Sequence, residues 1–455
     1  MSSVKRLLLI IVLFGLMQAV ESFGDVSADP RRAASALVVG VGFVLIASWF
    51  SGRLFASMRL PKLTGYLAMG MIAGPALLGI LAPTTVRGMG LVNGMATALI
   101  ALTGGSEMDF RALRPLFRSI AWISLLAVCG TAALLGLATW LLAGHLSFMG
   151  DLDGTQRIAI AAVIGVVVVA QSPAVVVAIR AETGADGPVA RTSLGVVVLA
   201  DLLVIVLFAV LSAAADAVLS GTADIGATAR NIVWELFGSL GIGTLIGVIL
   251  SGWLRFVGAR GLDLFVLLAC FVAAEVGRRV QLDPLLLMLA AGMFVENVSR
   301  KGAVLRRAFE DASLPVYILF FTVAGASIHL EALPTVLLPV AVLVTTRGLG
   351  LYFGTQAAAR IAGADPSVSR YGGFGLLPQA GLAIALSLLF TRTFPQLGPD
   401  ASALTLSIVA VNEIVAPAMF RLALVRSGEA HTPAGSSAGT VEAEDGDEAA
   451  PVGGH

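Results

Sequence analysis

The sequence predicts an all-α polytopic membrane protein, and three observations carry that prediction. Of 455 residues, 57% are hydrophobic and only 13% are charged, and the mean hydropathy is +0.93, far from the balance of a water-soluble domain. Apolar stretches near the roughly 20 residues that a helix needs to cross a bilayer recur along the chain, separated by short loops. The basic residues of those loops are unevenly shared between the two sides, as cytoplasmic loops rich in Lys and Arg require.

Taken in order, about thirteen transmembrane helices are expected, near residues 34–52, 63–82, 89–106, 119–143, 158–179, 192–214, 231–254, 262–277, 284–299, 312–329, 334–359, 371–391 and 402–424. Residues 34–424 therefore form one transmembrane domain. The opening "MSSVKRLLLIIVLFGLMQAVESFG" has a basic start, an apolar middle and a small-residue exit, so residues 1–24 read as a signal peptide or an extra N-terminal helix. Either reading puts the start of the first span outside. Of the 29 Lys and Arg, Arg31, Arg32, Arg87, Arg157, Arg230, Arg278, Arg279 and Arg392 then fall on the outer side. Lys5 and Arg6 belong to the leader, Arg347 lies within a span, and the others fall inside. The C-terminus is thus expected in the cytoplasm and the protein in the inner (plasma) membrane. Residues 427–455, small, polar and acidic, are expected to form a disordered tail. The two cysteines, Cys129 and Cys270, each lie in an apolar span, which argues against a disulfide framework or a metal cluster.

Two spans contain sequence that a continuous lipid-facing helix avoids. The fifth reads "GVVVVAQSPAVVVAIRAE", with Gln171, Ser172 and Pro173 at mid-depth. The twelfth reads "YGGFGLLPQAGLAIALSLLF", with Pro378, Gln379 and Gly381 similarly placed. Proline removes a backbone donor and crowds the preceding turn, so each span either kinks or unwinds there. They are seven spans apart, an odd number, so they run antiparallel. That is the layout of an inverted repeat with two crossed discontinuous helices, whose half-helix ends and freed carbonyls can bind an ion at the midplane.

Three charges lie at the same depth. Asp201, in "SLGVVVLADLLVIVLF", is ten residues past Arg191, or about 15 Å along a helix, half the hydrocarbon thickness. A carboxylate there is costly and marks function by default. Arg347 and Glu413 are also central; they read either as functional charges or as a structural ion pair, with each other or with another acid such as Glu107. Glu275, one turn from Arg278 and Arg279, reads as a helix-end ion pair, and the glycines of "GYLAMGMIAGP" as close helix packing.

The motifs "GYLAMGMIAGP", "LTGGSEMDFRALR", "SPAVVVAI" followed by "LADLLVIVLF", "LFFTVAGASIHL", "LLPQAGLAIALS" and "NEIVAPAMFRLALVRSGEA" together resemble the monovalent cation:proton antiporter superfamily in its Kef/NapA-like branch. The resemblance implies a NapA-like antiporter fold with a dimerisation domain and a mobile core, hence a homodimer in the lipid bilayer. It implies exchange of Na+ or K+ for H+, with no cofactor, no nucleic-acid partner and no enzymatic activity. The family's ion-binding carboxylate falls on Asp201 and its basic residue on Arg347. One departure stands out: familiar members carry a polar residue before the carboxylate, and here it is Ala200. Asp201 is the expected site for Na+ or K+ and for the proton, with Ser172, Gln171 and the freed carbonyls as further oxygen ligands, since hard cations prefer oxygen. Arginine keeps its proton, so Arg347 is a fixed charge, and Asp201 alone would make the exchange electroneutral. A passive cation channel and a transport-dead sensor that keeps the antiporter fold are the alternatives.

Overall fold

A computed structural model describes residue 15 and residues 30–58, 60–220, 225–257, 261–280, 282–327 and 336–430. The remainder of the expected leader, and the tail from residue 431, lie outside the described residues. The described chain is helical, without strands. Its helices are α1 (Pro30–Ser57), α2 (Lys62–Ala73) and α3 (Gly90–Ser106). Next comes α4 (Phe110–Leu141), which passes through a 3-10 turn at Arg114–Leu116 and a π turn at Ser124–Cys129. They are followed by α5 (Gly154–Val169), α6 (Pro173–Thr183), α7 (Pro188–Ser220), α8 (Ile225–Phe256), α9 (Leu262–Val280), α10 (Pro284–Phe294) and α11 (Gly302–Ala326). The last four are α12 (Leu337–Ala362), α13 (Pro366–Leu376), α14 (Gly381–Thr393) and α15 (Gly398–Arg426).

The local sequence accounts for the boundaries that matter to the site. A capping box opens α5, where Asp153 accepts the Gln156 N–H and the Gln156 side chain accepts the Asp153 N–H. Ser172 caps α6, Pro173 takes its first position, and Gly184 ends it in the left-handed conformation at φ 61°. The same Asp-Pro logic opens α10 at Asp283 and α13 at Asp365.

Seven of these helices are long and apolar enough to cross a membrane, α5 and α6 being taken as one, and the bent pair α13–α14 makes an eighth. Four more apolar helices are shorter. The 12-residue α2 is about 18 Å long, well short of a bilayer's hydrocarbon core. Several of the thirteen expected spans are therefore short helices whose polar ends are met by neighbours.

Packing sorts the helices into two bundles. Helices α1, α2, α3, α8, α9, α10 and α11 pack on one another, and α4–α7 with α12–α15 form the second, here termed the exchange bundle. Glycines let backbones meet in the first bundle. A Cβ at Gly70 would overlap the Thr322 carbonyl of α11, and one at Gly65 would strike the backbone of Gly52 in α1. The "GYLAMGMIAGP" glycines are thus contact points between helices. At the C-terminal end of α9, Arg279 bonds Glu275 at 2.9 Å across one turn.

Candidate functional site at the helix breaks

The exchange bundle is built around two interruptions. Helix ends at Val169 and restarts at Pro173, and again ends at Leu376 and restarts at Gly381, where α13 and α14 meet at 48°. Each interruption leaves carbonyls without the helical N–H partners they would otherwise have, an expensive condition away from water.

Arg347 of α12 meets carbonyls from both. Its Nε donates to Val168 O at 2.8 Å and its Nη2 to Ala170 O at 3.0 Å, at the first break. Nη1 donates to Leu377 O at 2.7 Å and Nη2 also to Leu376 O at 3.3 Å, at the second. The guanidinium is fully buried, and it lies at the carbonyl ends of two half-helices, where the backbone dipoles favour positive charge. Five fixed N–H donors in a plane suit this role, which a lysine ammonium fills poorly.

Gln379, also fully buried, joins the same carbonyls. Its Nε2 donates to Val168 O at 2.8 Å and Ala170 O at 3.0 Å, while its Oε1 accepts from Asn412 Nδ2 at 2.9 Å. Asn412 in turn donates to Ile408 O at 2.9 Å. The two breaks are therefore one joined structure, tied by Arg347, Gln379 and Asn412. Pro378 is buried within the second break and Gly381 opens α14 at an exposed position.

Of the two readings of Arg347, as a functional charge or as half of an ion pair, the contacts described do not supply the pair. Arg347 spends its donors on backbone carbonyls, and Glu107 instead bonds Arg180 at 2.8 Å. The physical reason is that four freed carbonyls already supply the negative surface a buried guanidinium needs. Glu413 is 2% exposed, and neither of its carboxyl oxygens has a hydrogen-bond partner.

At the first break the side chains are differently placed. Ser172 Oγ accepts the Val175 N–H at 3.3 Å, capping α6. Gln171 is 1% exposed, and both its amide nitrogen and its oxygen are buried without a partner. Asp201 stands in α7, which packs on α5, α6, α14 and the turn leading to the second break. It is 2% exposed, with Oδ1 unpartnered, beside the fully buried Ala200.

Sequence reasoning missed two residues here. Asn412 sat beside the conspicuous Glu413 and drew no notice. Asp283 accepts the Leu285 and Leu286 N–H groups at 2.7 and 3.3 Å as the cap of α10. The "LDP" before an apolar run was the available signal, a cap followed by proline.

A buried carboxylate with an unpartnered oxygen and a buried amide with neither atom engaged are groups that a proton or a small cation can complete. Comparison with known proteins accords with that chemistry. Residues 41–426 match the family described as sodium/hydrogen exchanger, transmembrane. The structure of the sodium proton antiporter MjNhaP1 from Methanocaldococcus jannaschii at pH 8 is similar, with a TM-score of 0.64 at 15% identity over 86% of this chain and 97% of that one. An electron-microscopy structure of the same antiporter gives 0.67 at 16% identity over 86% and 96%. At such identities the likeness is one of fold. No curated protein matches the chain. The match over nearly all of the described helices decides the family: the chain belongs to the sodium/hydrogen exchangers, which are monovalent cation:proton antiporters.

Proposed function

We propose that this protein exchanges Na+ or K+ for protons across the membrane, with cation and proton competing for Asp201. The observation that carries the reading is the Asp201 carboxylate, 2% exposed and with Oδ1 unpartnered, in a bundle with two helix breaks. A bare anion there is costly, so the group holds a proton or a desolvated cation and not both. When the site faces the two sides in turn, that exclusion couples opposite fluxes. Gln171 Oε1 and Ser172 Oγ are the further side-chain ligands, Gln171 being the better placed because nothing else engages it. Arg347 remains charged throughout and holds the breaks in shape.

With Asp201 as the single exchanging group, one cation moves for one proton and the cycle is electroneutral. Glu413 then stays out of the cycle. The working unit is residues 34–424 with about thirteen spans, as a homodimer in the plasma membrane, its C-terminal end in the cytoplasm. No cofactor takes part.

Collapse of an imposed proton gradient in proteoliposomes, on adding Na+, K+ or Li+ in turn, tests this. Wild type responds to at least one cation and Asp201→Asn to none. A mutant that responds like wild type overturns the assignment. Proton movement that does not depend on the added cation identifies a passive channel, and a silent wild type identifies a sensor.

A further inference from the structure

The two bundles meet chiefly where α6 and α15 of the exchange bundle lie against α2 and α3. Two polar contacts on that seam are made by the end of α6. Arg180 Nη1 donates to Glu107 Oε2 at 2.8 Å, with side chains 10% and 18% exposed, and Glu107 terminates α3. Two residues on, Glu182 receives the Lys62 N–H on both oxygens, at 2.9 and 3.1 Å. Lys62 is the first residue of α2, and the cap position before it, Pro61, supplies no side-chain bond. The free N–H groups and partial positive charge of that helix end are met by a carboxylate from the other bundle.

The end of α6 is held firmly to its own bundle. Arg180 Nη2 contacts Asp186 at 3.5 Å, and Asp186 takes two bonds of 2.8 Å from Arg191. Glu429, just past α15, receives the Val189 and Ala190 N–H groups at 2.7 and 2.8 Å and so caps α7. The α6–α7 connection therefore moves with α15. Any shift of the exchange bundle against α2 and α3 separates Arg180 from Glu107 and Glu182 from Lys62 together. A cavity of about 190 Å3, lined by Glu107, Asp109, Arg180, Asp186, Arg191 and Glu296, lies beside the ion pair. Water in it can hydrate both charges once they part.

We propose that Arg180–Glu107 and Glu182–Lys62 form a two-point clamp between the bundles that opens in every exchange cycle, so that its strength sets the balance between the two access states. Opposite signs on neighbouring α6 positions make the clamp specific in register: Arg180 seeks the carboxylate after α3, and Glu182 seeks the N-terminus of α2. The inference rests on the antiport reading above, because it requires the bundles to move.

The test uses the full chain, reconstituted in liposomes, with Cys129→Ala and Cys270→Ala as background. Glu107→Cys and Arg180→Cys are joined by a short, reducible bis-methanethiosulfonate. Exchange by the unjoined pair reports on the antiport reading separately, while joining reports on the clamp. Joining is expected to abolish exchange, and reduction to restore it; exchange that continues undiminished in fully joined protein overturns the proposal. A second arm needs no cysteine. Arg180→Glu is expected to shift the apparent cation affinities of the two membrane sides in opposite directions, and adding Glu107→Arg to bring them back. A paired reversal no closer to wild type than Arg180→Glu alone also overturns it.

Discussion

The two helix breaks are related by an inverted arrangement yet differ in what their glutamines do. Gln379, at the second, has its amide nitrogen on two carbonyls and its oxygen on Asn412. Gln171, at the first, has neither atom engaged, although it is just as buried. An inverted repeat thus supplies two similar frames whose glutamines are put to different use, one holding the crossing together and the other left with open valences. Buried polar groups are normally satisfied, so a buried glutamine at a helix break with neither atom engaged has room for a ligand that completes it.

The sharpest way to break the comparison is to remove what joins the frames. Arg347→Ala leaves the Leu376 and Leu377 carbonyls of the second break unmet in a buried place and Val168 and Ala170 of the first with Gln379 alone, which should cost about 3 kcal/mol or more. Thermal unfolding in detergent, followed by size-exclusion fluorescence, should show a large drop in midpoint, with Arg347→Lys only partly protective. A variant as stable as wild type would mean the breaks do not depend on the guanidinium.

Next in size is the contrast between the glutamines themselves. Gln379→Ala takes from the Asn412 amide one of its two acceptors and weakens the cover of Val168 and Ala170, costing about 1–3 kcal/mol, whereas Gln171→Ala breaks no hydrogen bond and should cost less. The transport effects should be ordered the other way. Gln171→Ala is expected to raise the cation KM several-fold with folding intact. Equal stability losses in the two variants would erase the distinction between the frames.

The smallest effect concerns the ends of the broken helices far from the breaks, where Asp153 opens α5 and Asp365 opens α13. The Ser367 hydroxyl and N–H both donate to Asp365, at 2.6 and 2.8 Å, and hold its carboxyl below the usual range. A lowered folded value means that the stabilisation is present above the unfolded carboxylate's titration and is lost as pH falls through the folded one. Asp365→Ala should cost about 1 kcal/mol near neutrality, and the difference from wild type should vanish in acid. A gap that stays constant with pH would show that the carboxylate's charge is not what matters.

Much of this was legible in the sequence because lipid imposes strict rules. Apolar length marks helices, proline with glutamine marks a place where a buried helix stops, and Asp201 stands out against "VVVLA" and "LLVIVLF". The partner of Arg347 was not legible, since nothing in a sequence says that a charge will be answered by backbone carbonyls. The length of the second span was overcalled: α2 ends at Ala73, short of the expected residue 82, and its start is met by a neighbour's carboxylate. Glu182 capping α2 from 120 residues away leaves no local trace. Asp283 was hidden by its ordinary role as a helix cap.

Competition at Asp201 is the central claim, and the pH dependence of the cation KM in proteoliposomes tests it most directly. If proton and cation exclude each other at one carboxylate, the apparent KM should rise by about tenfold per pH unit on the acid side, with the maximal rate at saturating cation little changed. A KM that stays flat while the maximal rate falls would contradict the claim, because the proton would then act somewhere other than at the cation's site.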